Sequence, residues 1–461
     1  MTFVPLWANV VLFVLGAVSA LAAIRTARTP QGAVGWVVFL LAFPLLAVPS
    51  FALFGRTGFE EYKRRRREID RGAETAANVP ASHQDRLASL ERIAGLPMVP
   101  GNRLELLIDG EATFGAVFEA IDGATDEVLV QFYMIRSDDV GQALIARLID
   151  AALRGVRVHV LYDGVGSFPF SRSFVRDLRA AGVASHPIRG PRRGIGRFGV
   201  NFRNHRKTVV VDGRIGFTGG LNVGREYVDG GPSFAAWRDT FVRIEGPVVQ
   251  QLRGVFARDW TWCTGSEPDR PQTSAPRDAP PGGSGGMVVA TGPTDEIERG
   301  SLFLCGLVGL ARRRLWIATP YLVPHADLLT AMQLAALRGV SVRILLPKAV
   351  DHLLPWYASR DYFDDLQRAG GEIWEYVPGF MHSKVVLVDD DIACVGTMNL
   401  DIRSVMLNFE TTVAVQDEGF AARVAAMLED DFARAELAPE RHPSARVRLL
   451  APVARLFGPL L

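Results

Sequence analysis

The sequence predicts an α/β protein with two pseudo-symmetric lobes, each a mixed β-sheet flanked by helices, behind a two-helix transmembrane hairpin. Three observations predict it. One polar motif occurs twice, 177 residues apart. Strand-like and helix-like segments alternate in the same order around both copies. Two long uncharged apolar stretches open the chain.

The hairpin comes first. Phe3 to Ile24 carries no charge, and neither does Ala33 to Phe54, which contains Pro44 and Pro49. The connector Arg25 to Gly32 joins them. A cleaved signal peptide is excluded, because Met1 to Trp7 has no basic residue and a second apolar stretch follows at once. The prolines leave a re-entrant second segment as the alternative. Basic residues are sparse in the connector (Arg25, Arg28) and dense after the second stretch (Arg56, Lys63 to Arg67, Arg71). That bias predicts a multi-pass inner-membrane protein with cytoplasmic lobes. The Lys63 to Arg67 cluster also attracts anionic membrane lipids.

The remaining boundaries follow composition. Residues 1–56 are the expected anchor and 57–100 a basic linker. The lobes span 101–264 and 287–440. Residues 265–286, rich in Pro, Gly and Ser, read as a flexible linker between them. The tail, 441–461, alternates arginines with apolar residues; it fits either the membrane surface or a lobe.

In the first lobe the order is EVLVQFYMI, VGQALIARLIDAAL, VRVHVLYD and FVRDLRAAG; in the second it is RLWIATPYLV, ADLLTAMQLAAL, VSVRILLP and YFDDLQRAG. AALRGV occurs at Ala151 to Val156 and again at Ala335 to Val340.

The motif closes each lobe. One copy holds His205, Lys207, Asp212, Gly219 and Asn222; the other holds His382, Lys384, Asp389, Gly396 and Asn399. Residues i and i+2 of a strand share a face, so each histidine projects with its lysine. Val209 to Val211 and Val385 to Val388 read as buried strands. Asp212-Gly213 reads as a tight turn. Gly220, Asn222, Thr397 and Asn399 lie in turns where amides and backbone N–H groups can hold phosphoryl oxygens. Two imidazoles and two ammoniums suit one phosphate. One histidine attacks phosphorus, the other protonates the leaving alcohol, and the lysines offset developing charge. No metal or other cofactor is called for.

These residues resemble the phospholipase D superfamily and, within it, bacterial cardiolipin synthases. The strings that carry the likeness are FRNHRKTVVVDGRIGFTGGLNVGREY, WRDT at Trp237 to Thr240, ATPYLVP at Ala318 to Pro324 and GTMNLDIRSVMLNFE at Gly396 to Glu410. The resemblance implies a catalytic set of His205, Lys207, Asp212, His382, Lys384 and Asp389, with His205 as nucleophile and His382 as acid and then base. It also implies one carboxylate orienting each histidine. Glu410, 28 residues after His382, fits that histidine; the same offset from His205 falls on Ser233, so Asp239 is taken as the partner of His205. The implied reaction moves a phosphatidyl group from one phosphatidylglycerol to another, giving cardiolipin and glycerol. Hydrolysis to phosphatidic acid by a membrane-bound phospholipase D is the alternative.

Charge supports a lipid partner over nucleic acid: 51 basic and 50 acidic residues make no global positive field. Cys263, Cys305 and Cys394 are too few and scattered for a disulfide framework or a zinc site. The oligomeric state is not readable.

Overall fold

The computed structural model describes residues 6–26, 30–54, 64, 66–68, 86–167, 172–188, 202–268, 283–440 and 444–458. The chain divides into two compact units, residues 1–68 with 189–203, and residues 69–188 with 204–461.

The first unit holds three apolar helices, α1 (Leu6–Thr26), α2 (Pro30–Ala42) and α3 (Pro44–Phe54). The expected second span is therefore two helices, not one. Pro44 has no N–H to give the carbonyl of Leu40, so the α2 ladder ends there. Gly16 lets α1 pass close to that carbonyl; a Cβ at position 16 would sit 2.8 Å from Leu40 O. Ala20, Ala23, Leu40, Ala47 and Phe51 form the small core between the helices. Trp7, Val10, Phe13, Val18 and Leu21 stay exposed. Among the described residues no helix is long and apolar enough to cross a membrane. Within the basic cluster after α3, Arg66 is buried, while Lys63 and Arg65 lie outside the described residues.

Among the described residues the second unit is built on one large sheet, fourteen of whose strands position the site. Its first half supplies β1 (Val99–Ile108), β2 (Glu127–Phe132), β3 (Arg157–Asp163), β4 (Ala184–Ile188), β5 (Thr208–Val211), β6 (Ile215–Gly219) and β7 (Thr240–Glu245). Its second half supplies β8 (Ser284–Thr291), β9 (Arg314–Ala318), β10 (Ser341–Pro347), β11 (Glu372–Tyr376), β12 (Val385–Val388), β13 (Ile392–Gly396) and β14 (Asn408–Gln416). The order runs β11-β10-β9-β12-β13-β14-β8-β1-β7-β6-β5-β2-β3-β4. Read outward from the centre, the halves repeat each other strand for strand. β2, β3 and β4 are parallel, as are β9, β10 and β11.

The repeat was legible as two lobes, but the sheet joins them. β1 and β8 pair antiparallel, with Val99 opposite Gly286 and Asn102 opposite Ser284. So the end of the expected linker is a strand. Its glycines serve close approach: a Cβ on Gly283 would lie 2.7 Å from Gly101 Cα, and one on Gly286 2.8 Å from Val248. Residues 269–282 of that linker lie outside the described residues.

The motif strands are buried on both faces. Val210 packs into the core shared with the helices Val248–Thr264 and Glu418–Ala433, while Val209 and Val211 pack into the core under the helices Asp109–Asp122 and Asp139–Leu153. Burial of each such valine contributes roughly 1.5–3 kcal/mol. The tail packs on the second half as the helix Ala445–Arg455. Ala454 sits with Val323, Leu329, Ala358 and Tyr362, and Arg455 bonds Asp361 at 3.0 Å. Leu449, Val453 and Leu456 on its other side are exposed.

Candidate active site

Each motif histidine precedes its buried strand at the carboxyl end of a parallel set. β5 runs antiparallel to β2, with Thr208 opposite Gln131 and Val211 opposite Val128. His205 therefore stands where β2 ends. β12 meets β9 in the same way, placing His382 where β9 ends. Crevices outside the carboxyl ends of strands are the usual ligand sites of α/β sheets.

The segments that carry the histidines cross between the halves. His205 N donates to Phe409 O at 2.9 Å, and His382 N donates to Arg238 O at 2.7 Å. Phe380 and Met381 pair with Trp237 and Arg238. The crossing sets the partners of the imidazoles. His205 Nδ1 lies 2.9 and 3.0 Å from the two Glu410 oxygens. His382 Nδ1 lies 2.6 Å from Asp239 Oδ2. This reverses the expected pairing, in which Glu410 served His382 and Asp239 served His205. Sheet register explains the error. Gly219 pairs with Phe241 and Gly396 with Thr412, so Asp239 and Glu410 are equivalent positions. The first half reaches its carboxylate six residues later, 34 after the histidine against 28. Ser233 lies in an exposed turn within that excess.

A carboxylate only accepts, so each Nδ1 carries the proton and each Nε2 keeps a lone pair. Both carboxylates are themselves held. Glu410 accepts from Thr397 Oγ1 at 2.5 Å and Asn408 Nδ2 at 3.1 Å. Asp239 accepts from Thr240 N at 2.8 Å. Gly220 leaves room for it; a Cβ there would fall 2.0 Å from Asp239 Oδ1. The two turn residues thus have opposite tasks: Thr397 donates to the longer Glu410, and Gly220 clears space for Asp239.

The lysines point along the same strands. Lys207 Nζ donates to His205 O at 2.9 Å. Lys384 Nζ donates to His382 O and lies 2.8 and 3.0 Å from the His382 ring nitrogens. Tyr133 meets His205 edge-on at 5.1 Å, and Trp237 covers His382 at 5.0 Å. Burial lowers the Lys207 ammonium to about 7 and the Lys384 ammonium to about 8. Burial also lowers both histidines. Lys384, Lys207 and His205 add to the effect on His382, which falls well below the ordinary imidazole range. Asp239 is raised by burial to about 6. All four basic groups therefore sense one another across the halves. The site gathers basic groups whose charged forms a bound anion would favour.

The arginines beside the site are struts. Arg206 is buried, bonds Asp259 at 2.7 Å and donates to Glu410 O at 3.1 Å. Arg238 bonds Asp431 at 2.8–2.9 Å. Arg206 ends a basic stretch, Arg189, Arg192, Arg193, Arg197, Arg203 and Arg206, whose composition alone suits anionic lipid head groups; its buried partners rule that out for this residue. Arg189 to Arg197 of that stretch lie outside the described residues.

A family described as "Cardiolipin synthase, PLD-like domain" matches residues 117–260 and 304–434. The chain is 43% identical to cardiolipin synthase A of Pseudomonas aeruginosa, over 97% of this chain and 94% of that one. It is 41% identical to cardiolipin synthase A of Pseudomonas putida strain KT2440, over 98% and 96%. The chain belongs to the phospholipase D-like cardiolipin synthase family. As a member it is an enzyme of the phosphatidyltransferase type. Its fold is shared with the crystal structure of phosphatidylserine synthase from Haemophilus influenzae, at a TM-score of 0.60 and 14% identity, covering 82% of this chain and all of that one.

Not every motif residue of this cardiolipin synthase-like chain meets the histidines. Asp212 and Asp389, expected in the catalytic set, sit at the far ends of β5 and β12. Asp212 accepts from the N–H groups of Thr125, Asp126 and Glu127 at 3.0, 2.8 and 2.9 Å. Asp389 accepts from the N–H groups of Arg312, Arg313 and Arg314 at 3.1, 2.8 and 3.2 Å, and from Arg86. Both adopt left-handed backbone, φ 53° and 52°, which aspartate tolerates in such turns. They pin the motif strand to the entry of its neighbour. Each amide spends one N–H inside the protein and keeps a second. Asn222 Nδ2 donates to Tyr227 OH at 2.8 Å and Asn399 Nδ2 to Asp401 Oδ2 at 3.1 Å. Tyr321, in the ATPYLVP turn, donates to Asp351.

Proposed function

We propose that this enzyme takes a phosphatidyl group from phosphatidylglycerol onto His205, releases glycerol, and passes the group to the hydroxyl of a second phosphatidylglycerol. The observation that carries the reading is the crossed pair of oriented imidazoles, His205 on Glu410 and His382 on Asp239.

The neutral His205 Nε2 attacks phosphorus while its Nδ1–H stays bonded to Glu410. His382 gives a proton to the departing glycerol oxygen. The incoming alcohol then returns its proton to His382 as its oxygen displaces His205. One phosphodiester replaces another, so no nucleotide is consumed. Lys207, Lys384, Asn222 and Asn399 surround the phosphoryl oxygens. An arriving phosphodiester anion offsets the cationic repulsion and lets His382 hold its proton. The Pseudomonas relatives support a cardiolipin product.

The N-terminal helices anchor the enzyme as a membrane hairpin, with the catalytic halves on the cytoplasmic face. Exposed Trp7, Val10, Phe13 and Leu21 support this, because soluble surfaces rarely leave such a stretch of large apolar side chains in water. Phosphatidylglycerol and anionic membrane lipids are the partners; nucleic acid is not.

The test is mass spectrometry of lipids after the purified protein meets phosphatidylglycerol alone. Cardiolipin with free glycerol is expected. Phosphatidic acid without cardiolipin would make the enzyme a phospholipase D.

A further inference from the structure

The tail helix Ala445–Arg455 is apolar on two opposite sides. Val447, Ala451 and Ala454 are buried against the second half. Leu449 and Val453 project the other way, and the turn that continues the helix adds Leu456 and Phe457. These four fall at i, i+4, i+7 and i+8, which is one stripe. Leu449 is 72% exposed and Leu456 78%. A surface helix ordinarily turns polar residues outward, so an exposed stripe of large apolar side chains marks an interaction surface. Arg446, at i−3 from Leu449 and i−7 from Val453, shares that side.

The stripe stands at the histidine edge of the sheet. Ala454 shares a core with Val323, and Val323 pairs with Asp401, two residues beyond Asn399. A Cβ on Gly458 would lie 3.4 Å from Ile402 and 3.5 Å from Val323. The loops of that edge are apolar as well. β3 is parallel to β2, and β10 and β11 follow β9, so the loops leaving their carboxyl ends emerge beside His205 and His382. They expose Val165, Val350, Leu353 and Val377. Residues 444–458 hold Arg446, Arg448 and Arg455 and no acidic residue. Such a helix suits an anionic bilayer, whose acyl chains take the apolar stripe and whose phosphates take the guanidiniums. A second copy of the chain would instead bring the arginines of two such helices together.

We propose that the tail helix is an interfacial docking element for an anionic phospholipid surface. Leu449, Val453, Leu456 and Phe457 enter the boundary between headgroups and acyl chains, and they hold the edge that carries both histidines against the leaflet. A lipid then reaches His205 by moving sideways within the leaflet, with its acyl chains kept out of water. One side of the tail packs on the protein and the other meets lipid, so the two fates its sequence allowed are both realised. The proposal rests on the transfer reaction above, because that reaction makes bilayer lipids the substrates.

The full-length protein, in vesicles of phosphatidylglycerol and phosphatidylcholine, carries photoreactive p-benzoylphenylalanine in place of Leu456 or of Leu153. Leu153 is the control: it is 73% exposed, but it ends the helix that leads into the amino end of β3, on the opposite edge of the sheet. After illumination, peptide mass spectrometry is expected to find phospholipid joined at position 456 and at least about tenfold less at position 153. Leu449→Asp combined with Leu456→Asp is expected to lower the ratio of kcat/KM on vesicles to kcat/KM on short-chain, monomeric phosphatidylglycerol by at least about tenfold. Thermal melting checks that each variant is folded. Cross-links from position 456 to another part of the chain or to a second copy, equal lipid at both positions, or an unchanged ratio would each overturn the docking surface. A wild type that makes no cardiolipin and releases no glycerol from either substrate overturns the transfer reaction, and the cross-links still decide the surface.

Discussion

At the residue scale the site is decided by which carboxylate serves which imidazole. Glu410→Gln removes the anion behind His205, and Asp239→Asn removes the one behind His382. General acid–base assistance is worth roughly 100- to 10,000-fold, so each loses activity on that order. The crossed geometry predicts distinct defects. Glu410→Gln slows formation of the His205 adduct, and Asp239→Asn slows the proton transfers; rapid-quench kinetics with a donor bearing a good leaving group separates the two, because that donor relieves Asp239→Asn and not Glu410→Gln. The lysines set the pH response. Their working form is protonated, and burial lowers them to about 7 and 8. Activity, read as kcat/KM for the free enzyme, therefore falls as pH rises through that range. Stability moves the other way. The folded lysines release protons below the unfolded value of about 10.5, so the folded state binds fewer protons between about 7 and 10.5 and gains stability as pH rises there. A pH series of kcat/KM beside chemical denaturation checks both signs.

At the element scale the motif strand is pinned at one end and reactive at the other. Asp212 and Asp389 hold three backbone N–H groups each, far from the histidines. Asp212→Asn is expected to cost about 1–3 kcal/mol of stability, seen as a lower melting temperature. Gly220→Thr is expected to displace Asp239, since its Cβ would reach 2.0 Å from Oδ1, and to abolish activity; Thr397→Gly costs only a hydrogen bond. Both are measured by activity per folded molecule. Much of this scale was readable in advance. The 177-residue offset gave the paired strands, the buried valines and the Asp212-Gly213 turn, because periodicity and turn chemistry are local. The carboxylate partners were not readable. Six extra residues before Asp239 broke the offset, and the crossing of each histidine segment onto the other half's strand is a long-range pairing that no local pattern encodes. Asp212 misled for a related reason: a carboxylate inside a catalytic motif reads as chemistry until its backbone partners are seen.

At the scale of the whole molecule the duplication makes one sheet. The first half alone would lack Glu410 and the second would lack Asp239, so each imidazole takes its carboxylate from the other half. The repeat predicted two lobes and a glycine-rich linker; the fold turned the end of that linker into β8, because glycines that look flexible in sequence also permit tight strand contact. The N-terminal helices were legible as apolar and helical. Their break was not, because Pro44 reads equally as a kink or an end. The central claim is that His205 carries the phosphatidyl group while His382 moves protons, and trapping the intermediate tests it most directly. Protein incubated with phosphatidylglycerol is quenched, digested and examined by peptide mass spectrometry, in the wild type and in His382→Ala. A phosphatidyl adduct on the His205 peptide, accumulating in His382→Ala when the donor has a good leaving group, is the predicted result. An adduct on the His382 peptide, or cardiolipin formed by a folded His205→Ala variant, would contradict the account.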